Sequence, residues 1–133
     1  YMHSFVLARI VLAMARSHQM VEALRLIDSI QDMKLRINAY VTMSRIAREN
    51  GDEDSATRLS NEATTLARGL TNPLDKAFVL ADLASSQAAG GDGATGRATL
   101  GEAVDVAAKI TDPWARARAL SKAASALVAI NGI

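Results

Sequence analysis

Two stretches of the chain, Gly51 to Pro73 (GDEDSATRLSNEATTLARGLTNP) and Gly91 to Pro113 (GDGATGRATLGEAVDVAAKITDP), are versions of one another. Gly51 and Gly91, Asp52 and Asp92, Glu62 and Glu102, Ala63 and Ala103, Ala67 and Ala107, Thr71 and Thr111, and Pro73 and Pro113 are all separated by one and the same interval. A fixed period of this size marks a stacked array, in which each unit covers its neighbour's apolar face. That limits the chain to architectures built by repetition.

Composition makes the repeated unit helical. Half of the 133 residues are hydrophobic but only 4% are aromatic. A surplus of alanine suits helices packed closely through small side chains and not β-branched strands. Fifteen Lys and Arg are interleaved with 14 Asp and Glu, so no basic block is set against a nucleic acid backbone. With no cysteine, disulfide frameworks and thiolate zinc sites are excluded, which is compatible with a reducing compartment without selecting one; the expectation adopted is cytoplasmic. The apolar opening FVLARIVLAMA is interrupted by Arg9 and follows no basic segment, so it reads as a helix and not as a leader. No run approaches a membrane span. The chain starts at a Tyr and stops inside a half-unit, which suggests a longer parent protein.

Read in order, the periodicity predicts seven helices. Phe5, Leu7, Ile10, Val11 and Met14 mark the buried face of the first, over Phe5 to Arg16. Ser17-His18-Gln19 interrupts, and a short second helix from Met20 places Val21, Leu24 and Ile27 inward. Asp32 caps the third, whose inner face carries Leu35, Ile37, Tyr40, Val41, Met43 and Ile46. Asn50-Gly51-Asp52 ends it in a left-handed residue and offers a carboxylate to the fourth helix, over Asp54 to Leu70. Asn72 and Pro73 then serve as N-cap and first residue of the fifth, over Leu74 to Ala89, which buries Phe78, Leu80, Leu83 and Ala84. Gly90-Gly91-Asp92 repeats the turn. The sixth, Ala94 to Ile110, carries or adjoins Gly93, Gly96 and Gly101, which calls for close approach of a neighbour in compensation. Thr111-Asp112-Pro113 launches the seventh, Trp114 to Ala129, and Asn131-Gly132 ends it.

Within one unit, Leu80 precedes Leu83 and the small Ala84, Gly91-Asp92 closes the helix, Leu100 precedes Ala103, and a proline opens the next unit. This spacing resembles the tetratricopeptide repeat. The same template falls on Tyr40, Met43, Ser44, Gly51-Asp52, Ala56, Ser60, Ala63 and Pro73, and more loosely on Leu7, Ile10, Val11, Ala23, Ile27 and Ile30. The resemblance implies an all-α, right-handed superhelix of antiparallel hairpins in a single domain, with units of about 5–35, 36–73 and 74–113 and a closing helix at 114–130. It departs from the family in unit length, since the step from Leu7 to Tyr40 is shorter than the equal steps from Tyr40 to Leu80 and Leu80 to Leu120. It also lacks most of the signature aromatics.

No catalytic inventory emerges. His3 and His18 have no partner at metal-ligand spacing, and Asp52-Glu53-Asp54 lacks the alternation and closing glutamate of a calcium loop. The acidic neighbours Asp28 and Asp32, or Glu102 and Asp105, face no nucleophile, and Gly90 to Gly93 joins two helices and not a strand to a helix. No enzyme activity, metal or cofactor is expected.

What remains is surface. In tetratricopeptide-like arrays the first helix of each unit lines a concave groove that holds a peptide, which puts Phe5, Ala8, Leu12 and Arg16, then Asn38, Val41, Arg45 and Arg48, on that face. Phe78, Ala81 and Ser85, then Arg118, Ser121 and Ser125, follow. Arg45, Arg48 and Asn38 would hold a carboxylate, with Phe5, Val41 and Phe78 as apolar sockets. Trp114 is expected to pack where two units meet. The expected function is a protein or peptide interaction module that binds neither nucleic acid nor membrane. The alternative is a regulatory or oligomerisation segment whose groove or ends are filled by its own chain or a second copy. An RNA-reading helical array fits the near-neutral charge poorly.

Overall fold

Each glycine-aspartate turn ends one helix and starts the next with the same hydrogen bonds. In the computed structural model, which describes residues 2–132, the order is α1 (Met2–Arg16), α2 (Met20–Ile27), α3 (Met33–Glu49), α4 (Glu53–Arg68), α5 (Pro73–Ala89), α6 (Gly93–Ala108) and α7 (Pro113–Asn131). There is no strand among the described residues. Gly51 and Gly91 take φ of 82° and 97°. The following amides, of Asp52 and Asp92, donate to the carbonyls of Ala47 and Gln87 at 2.9 and 3.0 Å, the closure that satisfies a helix end. The same aspartates turn round and accept from Ser55 N–H at 3.1 Å and Thr95 N–H at 3.0 Å, so one residue caps two ends.

The first turn obeys the same scheme with poorer residues. His18 takes φ 63°, and Gln19 N–H donates to Met14 O at 2.9 Å, the parts played in the next turn by Gly51 and Asp52. Gln19 makes no side-chain cap. A non-glycine residue in the left-handed region costs about 1–2 kcal/mol, so this turn is the weakest of the three.

Past that turn the first unit falls into step with the others. Ala23, Ala63 and Ala103, evenly spaced by the repeat interval, are each fully buried. Asp32, Asn72 and Asp112 keep the same interval and accept from the amides of Leu35, Asp75 and Ala115 at 3.0, 3.1 and 2.8 Å. The shortening of the first unit is therefore confined to the start of α2, which has 8 residues where α4 and α6 have 16. Arg36 Nε and Arg116 Nη1 also occupy matching places, donating back to the carbonyls of Ile30 and Ile110 at 2.8 and 3.0 Å.

The described chain gathers into two compact units, Tyr1–Leu66 and Ala67–Ile133. In the first, α3 packs on α1 and α2, burying Ile37, Ala39, Tyr40, Met43, Ile46 and Ala47. Ser44 Oγ donates to the Ala56 carbonyl at 2.7 Å, fixing the crossing of α3 and α4. The Tyr40 hydroxyl donates to Asp28 Oδ1 at 2.8 Å. Burial, then the Asp28 carboxylate, pushes that phenol well above its ordinary range.

The buried stripe of α1 differs from the one the large residues suggest. It is Ser4, Ala8, Val11 and Ala15, while Phe5 is 39% and Ile10 47% exposed and Leu7 and Met14 are half-buried. Apolar residues surround α1 almost completely, so the pattern does not select a face. The smallest stripe wins because it lets the neighbouring backbones approach. In α2, likewise, Ala23 and Ile27 are buried and Val21 and Leu24 are exposed. In α3, Leu35 and Val41 are only half-buried, and so is Phe78 in α5.

In the second unit α5, α6 and α7 pack on one another. Part of the core is Ala77, Ala107, Ile110 and Ala119, with Leu74, Phe78, Val106 and Ala115 packed against it. A Cβ built on Gly96 would sit 2.8 Å from the Ala84 carbonyl oxygen and 3.2 Å from Ala88 Cβ. Close approach explains that glycine alone. Gly101 has nothing within 4 Å, and Gly93 meets only the Arg97 side chain.

Candidate binding surface

Positions three and four residues apart on α7 share a face, and Trp114, Ala117, Arg118, Ser121, Lys122 and Ser125 form one such stripe. With Phe78 of α5 they line an open depression of ≈ 470 Å³. Phe78 precedes Arg118 by one repeat interval, so the two hold the same place in successive units. Arg118 Cζ stands 5.6 Å from the Phe78 ring centroid and 4.9 Å from that of Trp114. One guanidinium is thus stacked on two rings, an arrangement that suits arginine because its charge is planar and weakly hydrated. Lys122 Nζ lies 5.9 Å from the Phe78 ring and 2.7 Å from Asp82 Oδ1. Asp82 is thereby occupied, and no carboxylate among the described residues pairs with Arg118.

This depression can hold an apolar side chain against the rings while the arginine's N–H groups meet an acceptor, a carboxylate or a backbone carbonyl. Of the expected groove positions, Phe78, Arg118, Ser121 and Ser125 meet here. Ser85 is half-buried on α5 and does not line it. Ala81 is fully buried, so it belongs to the core and not to a binding face.

Trp114 and Lys122 are the residues that sequence reasoning missed. Trp114 is 68% exposed and does not fill a junction between units. Its spacing of four from Arg118 was the available signal, because that spacing stacks side chains on a helix surface.

In the first unit, Asn38, Val41, Arg45 and Arg48 follow one face of α3 at steps of three and four. Asn38 and Arg45 are exposed, and Val41 and Arg48 are half-buried. Arg48 Nε lies 3.7 Å from Glu53 Oε2, so its carboxylate partner sits across the turn. That nitrogen is buried and makes no hydrogen bond. Phe5 of α1 is 39% exposed with Arg9 Cζ 5.8 Å from its ring centroid. Leu12 is half-buried and Arg16 exposed, but Ala8 is buried and lines no groove.

Among the described residues no cluster of His, Cys, Asp and Glu is arranged to hold a metal ion, and no helix is long and apolar enough to cross a membrane. His3 and His18 are both exposed. No protein-family model, curated protein or solved structure matches the chain.

Proposed function

We propose that the chain is a non-enzymatic interaction module, a repeat array of the tetratricopeptide-like kind that takes a peptide or a partner protein on the face of its first-position helices. The observation that carries this reading is the Phe78, Arg118 and Trp114 stack at an open depression. It joins apolar area to a cation that no carboxylate of the described chain neutralises, the combination found at anchor points of binding surfaces. The recurrence of turn and cap chemistry at matching intervals supports the repeat reading. Asn38, Val41, Arg45 and Arg48 offer a second, more polar patch of the same helix class.

The test is an unbiased peptide library with the fluorescence of Trp114, the single tryptophan, as one readout. Hits are expected to lose at least tenfold in affinity with Arg118→Ala or Phe78→Ala, a loss of about 1.4 kcal/mol or more, at unchanged helicity. Hits insensitive to Arg118→Ala, Phe78→Ala, Arg45→Ala and Arg48→Ala alike would remove the reading.

A second reading, self-association, is favoured by where the large exposed apolar residues fall. Met2, Phe5, Val6 and Ile10 lie on α1, Val21 and Leu24 on α2, Val104 on α6, and Trp114, Leu120, Leu127 and Val128 on α7. Among the described residues α3, α4 and α5 contribute none. A polar solvent face would be expected at the ends of a repeat array that stands alone.

A further inference from the structure

The turn between α3 and α4 holds an asparagine followed by a glycine, Asn50-Gly51. Ser17 and Gly90 stand in the corresponding places of the other two turns, so the closure does not require a carboxamide there. The Asn50 side chain makes no hydrogen bond among the described residues, and residues 49–54 are all exposed. A glycine after an asparagine leaves its backbone nitrogen the least hindered approach to the side-chain carbonyl carbon, because it has no Cβ to crowd the path. The space around Gly51 is open as well, since a Cβ built there meets nothing within 4 Å.

What keeps the two groups apart is the helix closure. Asn50 sits at φ −85° and ψ 3° and Gly51 at φ 82°. Gly51 N–H donates to Arg48 O at 3.0 Å and Asp52 N–H to Ala47 O at 2.9 Å. Attack needs rotation about ψ of Asn50, which breaks the Gly51 bond. That opening involves one exposed turn at a helix end, the least costly kind of local unfolding.

We propose that Asn50-Gly51 is a self-modification site, where the carboxamide is converted to isoaspartate and aspartate without an enzyme. In the opened turn the Gly51 amide gives its proton to hydroxide, its nitrogen bonds to Asn50 Cγ, and the side-chain nitrogen leaves as ammonia. A cyclic imide is left. Water then adds to one of the imide carbonyls and breaks that carbonyl's bond to the Gly51 nitrogen. Cleavage at the backbone carbonyl routes the main chain through Cγ as isoaspartate, and cleavage at Cγ gives aspartate.

Either product adds one negative charge, taking the formal net charge from +1 to 0. The new carboxylate falls at the C-terminal end of α3, where the helix dipole disfavours an anion, and beside Glu49, Asp52, Glu53 and Asp54. Isoaspartate also lengthens the main chain by a methylene, which carries the amides of Gly51 and Asp52 off their carbonyl partners. The modification therefore loosens the hairpin of α3 and α4. It is independent of any binding role.

The experiment is storage of the folded chain at mildly alkaline pH, then tryptic mapping with fragmentation that separates isoaspartate from aspartate, set against the unstored chain. Cleavage after Arg48 and Arg58 isolates residue 50 from every other asparagine. Peptide 49–58 should gain both acids, isoaspartate in the larger share, at least about tenfold faster than the peptides with Asn38 and Asn61, whose following residues Ala39 and Glu62 carry a hindering Cβ. The melting temperature of the stored chain should fall, while that of stored Asn50→Gly, which copies the Gly90-Gly91-Asp92 turn, should hold. Residue 50 keeping its amide in the folded chain, whether or not it converts in strong urea, would overturn the proposal. Aspartate without isoaspartate would mean direct hydrolysis and remove the imide route. An equal fall in both stored proteins would sink the loosening of the turn.

Discussion

Gly96 and the carbonyl of Ala84 mark where α6 comes nearest to α5, with a Cβ at residue 96 falling 2.8 Å from that oxygen. The neighbour is backbone and cannot swing aside. We expect Gly96→Ala to lower stability by about 1–2 kcal/mol, because overpacking outweighs the gain in helix propensity. Gly101→Ala, with nothing within 4 Å, should raise stability by about 0.5–1 kcal/mol. Urea denaturation of the two variants gives opposite signs if this account of the crossing is right.

The turn residue His18 should respond the other way from its glycine counterparts. At φ 63° it holds a conformation that glycine adopts freely, so His18→Gly is expected to stabilise by about 1 kcal/mol. Gly91→Ala, at φ 97° with no steric neighbour, should cost about 1 kcal/mol from backbone strain alone. Thermal melts of the three proteins should rank His18→Gly above wild type and wild type above Gly91→Ala.

Tyr40 links stability to alkaline pH. Its folded phenol is raised well above the ordinary range by burial and by Asp28, whereas the unfolded phenol titrates near pH 10. Above about pH 10 the folded chain thus holds a proton the unfolded chain has lost, and stability falls as pH rises. Below that pH the contribution is complete. Tyr40→Phe should remove this part of the alkaline loss and cost about 1 kcal/mol at neutral pH through the missing hydrogen bond. Denaturant titrations at about pH 7, 10 and 11 would show stability falling less steeply with pH in the variant than in the wild type.

Arg118 should matter more to ligands than to the fold. It is exposed and stacked on two rings, a contact worth about 0.5–1 kcal/mol at such a site. Arg118→Leu is expected to change the Trp114 emission while shifting stability by no more than that amount. A large drop in melting temperature would mean that the residue serves the core.

Turns and caps were legible because their chemistry is local. Gly51, Gly91 and Gly132 take positive φ, and Asp32, Asn72 and Asp112 accept from the third residue onward. The first turn was read only as an interruption, because His18 and Gln19 replace the informative Gly-Asp pair. Which side of α1 is buried was not legible, since Phe5, Val6, Ile10 and Leu12 give it apolar residues in several directions while Ser4, Ala8 and Ala15 form the tight contact. At the candidate site, Phe78 and Arg118 were brought out by the resemblance to tetratricopeptide-like arrays and not by spacing alone. Trp114 was misplaced, since size and apolarity suggest burial, whereas a stacked arginine can hold an indole at the surface.

The carboxylate and amide caps at residues 32, 72 and 112 bound the stretches between them with the same joint, as the ends of a cassette would be. Splicing a further copy of residues 73–112 after Asp112 would place a proline behind an aspartate at both seams, chemistry the chain already contains. A gene lengthened by recombination at these points would need no new joint. The first hairpin, shorter than the others yet closed by the same cap, shows that a cassette can change length while its seam stays the same.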